Sequence, residues 1–210
     1  MLVKRRPLRT PKKEHPTKRA LIDTVVGMLE TTPVESVTCD AVLDASGISR
    51  GSLYYHFTDF GDLIEHALAF RFSRFVDETV TLLNETVSGS TSASEFRGTW
   101  LAFAHALHDP HGAQMRFERT VPYAAAANSE RFRKMLGVEQ QRLTDGYADV
   151  IRSAQGRGWM STDLDPQVIA VLFQAIALGS VVDDLAENRA TDDAWNQAIG
   201  VLLDRIVVPA

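Results

Sequence analysis

An all-α fold is predicted by three features of this 210-residue sequence. Apolar residues recur at intervals of three and four from Thr17 onward, the period of a helix with one buried face. Capping residues and helix breakers punctuate that pattern at helix-length intervals. No stretch alternates apolar and polar residues as a half-buried strand would.

The segments follow in order. Residues 1–16, with three prolines and many cations, are expected to stay disordered until bound. From Thr17, the stripe Leu21, Ile22, Val25, Val26 and Leu29 predicts a first helix ended by Pro33. Thr38 is an N-cap for a short second helix to about Ser46, closed by a tight turn at Gly47. Ser49 caps a third helix to about His56, and Thr58 or Asp59 opens a long fourth one through Leu63, Ile64, Ala67, Leu68, Phe75 and Val76. The Ser/Gly/Thr cluster from Ser88 to Ser92 marks a loop on or near a domain boundary. Phe96, Trp100, Phe103, Ala104 and Leu107 form the next helical stripe, stopped by Asp109-Pro110. A helix broken near Pro122 follows, then a long one carrying Phe132, Leu136, Leu143, Tyr147, Val150 and Ile151 to Gly156-Arg157-Gly158. Asp165-Pro166 starts a helix that is apolar nearly all round from Val168 to Val182, which the surface of a monomer would not sustain. A final helix over 194–207 brings Trp195, Ile199, Leu202 and Ile206.

A content of 45% hydrophobic and 23% charged residues belongs to an ordinary globular protein. No apolar region follows the first basic residues, so no secretory signal is predicted. The 15-residue apolar run with Gln174 and Ser180 is expected to be too short to span a bilayer. A single cysteine, Cys39, excludes an internal disulfide and fits a reducing cytoplasm. Net charge is −5, but its distribution is uneven. Residues 1–20 hold eight Lys or Arg against Glu14, a balance of +7, which leaves −12 on the other 190 residues. Such an arm either meets a polyanion or is a solvated tail. No nucleophile elbow, P-loop, dinucleotide fingerprint or metalloprotease motif is present, so neither an enzyme nor a cofactor is expected.

The informative stretch is Val37 to Phe57, two short helices around a glycine-containing turn, the layout of a helix-turn-helix. The major groove of DNA admits one α-helix and presents a full donor and acceptor code. Arg50, Ser52, Tyr54, Tyr55 and His56 are outward side chains able to bond bases or phosphates, while Leu53 and Phe57, four apart, tie the helix to a core.

These residues resemble the signature of the TetR family of bacterial transcriptional regulators: a Thr-capped helix, then Ala-Gly-Val-Ser, then Gly-Thr-Leu-Tyr-x-His-Phe, then a leucine pair. The chain offers Thr38, Ser46-Gly47-Ile48-Ser49, Gly51-Ser52-Leu53-Tyr54-Tyr55-His56-Phe57 and Leu63-Ile64. The motif-level resemblance spans roughly 17–70; beyond it only the helix number and the Gly156-Arg157-Gly158-Trp159 and Asp163-Leu164-Asp165-Pro166 punctuation agree. The chain departs from the pattern at Phe60, where members usually place a phosphate-binding lysine, and at Leu43, where a small residue is common. The motif is also not basic, with Arg50 against Asp40 and Asp44.

The resemblance implies a basic arm over 1–16, a three-helix DNA-binding domain over 17–62, and a helical effector-binding and dimerisation domain over 63–210. It implies that Arg50 and Gly51 face bases, that Ser52, Tyr54, Tyr55 and His56 hold phosphates or base edges, and that Thr38 reaches a phosphate. Ser49, Lys18 and Arg19 complete the expected DNA-binding set, with the arm replacing the missing lysine. The expected partners are a double-stranded DNA operator, a largely apolar small-molecule effector and a second copy of the chain, with no membrane. Trp100, Phe103, Phe117, Tyr123, Gln140, Tyr147 and Phe173 are the candidate pocket, although aromatic stripes at helical spacing also make plain core. Glu139, Gln140 and Gln174 sit at apolar positions and need partners, from a ligand or from internal pairing across a dimer. His105, His108 and His111 have a metal-like spacing but no nearby cysteine, and a solvated helix end is the plainer expectation. Ala175 and Gly179, four apart, would let the apolar helix approach its copy in a two-fold four-helix interface. The expected function is a repressor released from a palindromic operator by an effector. The alternatives are a constitutive DNA binder and a metal- or ligand-binding helical protein with a vestigial motif.

Overall fold

The computed structural model describes residues 15–109 and 112–207, apart from the side chains of Thr86 and Leu107. The arm up to residue 14, Pro110, His111 and the Leu107 side chain therefore lie outside the described residues. Among those described, nine α-helices and one 3-10 turn make up the fold, and no strand is present beyond an isolated bridge between Met160 and Val207. The chain separates into two compact units that divide between Phe70 and Arg71.

The first unit holds α1 (Pro16–Met28), α2 (Cys39–Ser46), α3 (Arg50–His56) and the start of α4 (Phe60–Gly89). Pro16, read from sequence as part of the arm, is the first residue of α1, a position where the missing N–H of proline leaves no bond unmade. Nor does Pro33 end this helix. It stops at Met28, where the Leu29 N–H turns back onto Val25, and Pro33 instead precedes the 3-10 turn Val34–Ser36. Thr38 Oγ1 accepts from the Ala41 N–H at 3.3 Å and Ser49 Oγ from the Ser52 N–H at 3.2 Å, each satisfying an end donor of its helix. Between them Gly47 adopts φ +65, the left-handed conformation that glycine enters without steric penalty. At the start of α4, Asp59 accepts from the Asp62 N–H at 2.7 Å, and Asp62 accepts from the Thr58 N–H at 2.9 Å just ahead of the helix. α1 packs on α2 and α3 through Leu21, Val25, Val42 and Leu53, all fully buried.

The second unit contains the remainder of α4, α5 (Ala93–His108), α6 (Ala113–Asn128), α7 (Glu130–Gly156), α8 (Pro166–Asp184) and α9 (Asp192–Ile206). α7 is its central element, packed on α6 and α8, while α5 packs on α9 and α8. Phe132, Leu136, Leu143, Tyr147, Val150 and Ile151 bury one face of α7, as their spacing predicts. Gly146 on α7 meets α4 closely: a Cβ there would lie 2.6 Å from Val80 Cγ2. The helix closes through Gly158 at φ +74, with the Trp159 N–H bonded to the Ala154 carbonyl at 2.9 Å.

Three sequence expectations are corrected in this unit. α6 is not broken at Pro122; it runs unbroken from Ala113 to Asn128 with Pro122 buried inside it, because packing against α7 and α8 outweighs one missing backbone bond. His108 is not at a solvated helix end but is 2% exposed, stacked on Trp195 at 4.2 Å and bonded through Nε2 to Asp183 at 3.0 Å. α8 extends beyond the apolar run at both ends, and its 19 residues are long and apolar enough to cross a membrane by length and composition alone. Here it packs instead against α5, α6 and α7, burying Ile169, Ala170 and Ser180. Val168, Val171, Leu172, Ala175, Gly179 and Val182 form an exposed stripe on its other side, and Val201 and Leu202 of α9 are exposed too.

Candidate functional site

The candidate DNA-reading surface is built on α2 and α3. Leu53 and Phe57 are 0% and 2% exposed, so the inner face of this seven-residue helix is fixed by burial. The opposite face presents Arg50, Gly51, Tyr54 and Tyr55 outward, with Tyr55 82% exposed, and Ser52 and His56 half-buried beside them. Thr38 and Ser49 lie exposed at the two N-caps. The eight motif residues named from sequence are thus brought onto two consecutive short helices and the turn between them.

Their electrostatics were not legible in the sequence. Arg50 is ion-paired with Asp40 from the first turn of α2, so its guanidinium is held on the protein in the free state. Ser49 Oγ is taken up by its cap and by Ser52 Oγ at 3.0 Å. His56 lies 4.6 Å from the His15 ring; burial, then the positive fields of His15 and Lys18, lower its pKa. A neutral imidazole is therefore favoured near pH 7, suited to hydrogen bonding rather than to charge pairing. Lys18 and Arg19 are engaged within the unit. Lys18 Nζ meets His66 Nε2 at 3.0 Å and lies 5.3 Å from the Phe57 ring centre. Arg19 bonds both oxygens of Asp23 at 2.9 Å and stacks 4.0 Å from the Phe70 ring.

In the second unit a cavity of about 210 Å³ opens between α4, α5, α6, α7 and α8. Of the pocket residues expected from sequence, Phe103, Tyr123 and Tyr147 line it, and Trp100 and Phe173 line a smaller adjoining void with Phe103 and Tyr147. Phe117 lines neither. Gln140 finds its partners inside the subunit: it accepts from the Tyr123 hydroxyl at 2.7 Å and donates to Gln174 at 2.7 Å, while Gln174 donates to Thr144 at 3.2 Å. Glu139 pairs with Arg142 at 2.9 Å. The internal pairing expected across a dimer is thus met within one chain for the two glutamines, while Glu139 Oε2 keeps only its charge contact with Arg142. Arg119, which sequence reasoning missed, also lines the cavity; its spacing of four from Tyr123 was the available signal. Among the described residues, no group of three or more His, Cys, Asp or Glu is placed to hold a metal.

No family model matches the chain. It is 22% identical over 185 residues to the HTH-type transcriptional regulator SrpR of Pseudomonas putida, covering 88% of this chain and 82% of that protein. The structure of a TetR-family transcriptional regulator from Cytophaga hutchinsonii superposes with a TM-score of 0.65 at 15% identity, covering 95% of this chain and all (100%) of that one. A candidate TetR-family regulator from Mesorhizobium loti gives 0.65 at 14% identity, covering 91% and 96% of the two chains. At these identities the likeness is one of architecture: the chain has the TetR-family fold, an N-terminal helix-turn-helix followed by a larger helical domain.

Proposed function

We propose that the chain is a dimeric, DNA-binding transcriptional repressor, released from a pseudo-palindromic operator by a small-molecule effector. The observation that carries this reading is α3 itself. Leu53 and Phe57 are spent on the core, and the rest of a very short helix is given to outward groups that bond bases and phosphates. In this reading Arg50 and Gly51 face bases, and Ser52, Tyr54, Tyr55 and His56 hold phosphates or base edges. Thr38 and Ser49 approach phosphates from the helix N-termini, and Lys18 and Arg19 flank the contact. Residues 17–62 form the DNA-binding domain, the 1–16 arm adds phosphate contacts, and 63–210 bind effector and partner.

The exposed stripe on α8, with Val201 and Leu202 of α9, supports self-association, since an apolar surface of this kind is best covered by its own copy in a two-fold interface. Two α3 helices would then enter successive major grooves, with half-sites about one helical turn (~34 Å) or slightly more apart. The cavity beside α7 is the effector site. Selection of genomic fragments with purified protein, followed by a screen for compounds that release the bound fragment, tests the reading. Recovery of one palindromic site released by a small molecule is the expected result. Recovery of no enriched sequence would overturn it.

A further inference from the structure

α6 carries two arginines three residues apart whose environments are opposite. Arg116 is 4% exposed and fully answered: its guanidinium bonds both oxygens of Asp184 at 2.6 Å, and Asp184 is itself 1% exposed. Arg119 also reaches inward, with a buried Nε that has no hydrogen-bond partner. Its contacts are a 3.6 Å approach to the Met115 sulfur and a position 4.3 Å from the Phe75 ring centre. A thioether and a ring face are soft partners that leave a full positive charge uncompensated. Among the described residues no carboxylate pairs with it; Glu78, on the same cavity wall, is exposed and forms no such bond. Burial accordingly lowers the Arg119 pKa.

A half-buried arginine with no counter-charge carries a desolvation cost that a bound anion would offset, whereas this fold pairs its neighbouring arginine. The cavity that Arg119 lines is walled by Phe72, Phe75, Phe103 and Tyr123. Tyr147, 4% exposed, lines it too, and its hydroxyl has no hydrogen-bond partner among the described residues. Burial pushes that phenol up to about 12, so it remains a donor at neutral pH. One cation and one spare donor within aromatic walls match one monoanion on an apolar body. A phosphate would bring a second charge with nothing to meet it. At about 210 Å³ the space falls below the usual range of drug-sized pockets, roughly 300–1,000 Å³, so the body is small.

We propose that this cavity binds a small apolar carboxylic acid, with its carboxylate held by Arg119 and its body against the aromatic wall. This rests on the reading of the chain as an effector-controlled regulator and names the chemical class of the effector.

The test is calorimetric titration of the full-length protein at pH 7.5 with three matched pairs: benzoate and benzamide, 1-naphthoate and 1-naphthamide, octanoate and octanamide. In at least one pair the acid is expected to bind about ten-fold or more tightly than its amide, as a charge-assisted contact implies. Arg119→Met should abolish that preference with little change for the amide, and Arg119→Lys should keep part of it. Should Arg119→Met fail to fold, the wild-type pairs and Arg119→Lys still decide the matter. Amides binding as well as acids, no acid binding below about 10 mM, or a preference that survives Arg119→Met would each overturn the proposal. DNA binding is read separately by anisotropy. Acid binding by a chain with no affinity for DNA would support the site and refute the regulator reading; a DNA binder with no acid preference would do the reverse.

Discussion

Asp40→Ala should tighten binding to the operator. In the free protein Arg50 is tied to Asp40, so reaching a guanine edge or a phosphate requires that pair to open. The side chains are 55% and 80% exposed, which places the pair among surface ion pairs worth about 0.2–1 kcal/mol. Removing Asp40 also removes a negative charge from the DNA-facing side, worth about 0.5 kcal/mol for a phosphate some 8 Å away in water. Together these amount to a gain of roughly three- to ten-fold in affinity at low salt. Loss of an acid from the first turn of α2 lowers fold stability by about 0.3–1 kcal/mol, so the two effects have opposite signs. The assay is fluorescence anisotropy with a labelled operator, for the wild type, Asp40→Ala, Arg50→Ala and the double variant. Arg50→Ala should lose about 1–3 kcal/mol on the specific site. In its background Asp40→Ala should retain only the charge-repulsion part of its gain. Weaker binding by Asp40→Ala, or an equal gain with and without Arg50, would refute the tether.

Four further outcomes are expected. Gly137→Ala, with open space around its Cβ, should stabilise α7 by about 0.5–1 kcal/mol, whereas Gly146→Ala should lose up to about 2 kcal/mol because Val80 stands 2.6 Å away; equal shifts in urea midpoint would deny the close approach. Gly179→Arg should yield a folded monomer in sedimentation, since among the described residues nothing outside its own stretch of helix lies within 4 Å of that Cβ; a wild-type monomer at micromolar concentration would count against the interface. Asp184→Asn should destabilise the second unit by about 1–3 kcal/mol, because it removes the carboxylate charge facing Arg116 and leaves its bond to the Asp109 carbonyl. Hydrogen bonds from Arg116 hold the Asp184 carboxyl below its usual pKa, so its stabilisation is complete above about 3.9 and is lost as pH falls through the lower folded value; the gap between wild type and variant should close in that window. Removing residues 1–13 deletes six cations per chain, and if a third of the twelve in a dimer touch phosphate, the slope of log affinity against log salt should become shallower by about three to four units; identical slopes would make the arm idle.

What the sequence made legible was local. The caps at Thr38 and Ser49, the turn at Gly47 and the helix start at Asp165-Pro166 depend on residues close to the backbone they serve, and all are found where the sequence places them. Burial of Leu53 and Phe57 followed from spacing alone. The remainder depended on residues distant in the chain. Pro122 is accommodated by helices that pack around it, and His108 is buried by Asp183 and Trp195, more than seventy residues away. The Arg50–Asp40 pair crosses the turn between two helices, and no periodicity marks it. Arg119 could have been placed on the cavity face by its distance from Tyr123, but its missing counter-charge is a property of the packed unit.

The amide pair between α7 and α8 sets which residues can wall the cavity at all. A helix as uniformly apolar as α8 could slide by a turn along α7 and bury nearly as much surface, since apolar contacts have no preferred partner. Gln140, Gln174, Thr144 and the Tyr123 hydroxyl do have one. A slide of one turn would separate these groups together and leave half-buried amides unsatisfied, at about 1 kcal/mol each. The bonds thus act as a detent: they add little to the net stability of the bundle but make every alternative alignment of α8 worse. Ala177 and Leu178, which complete the cavity wall beside Gln174, hold their places because that one position of α8 is selected.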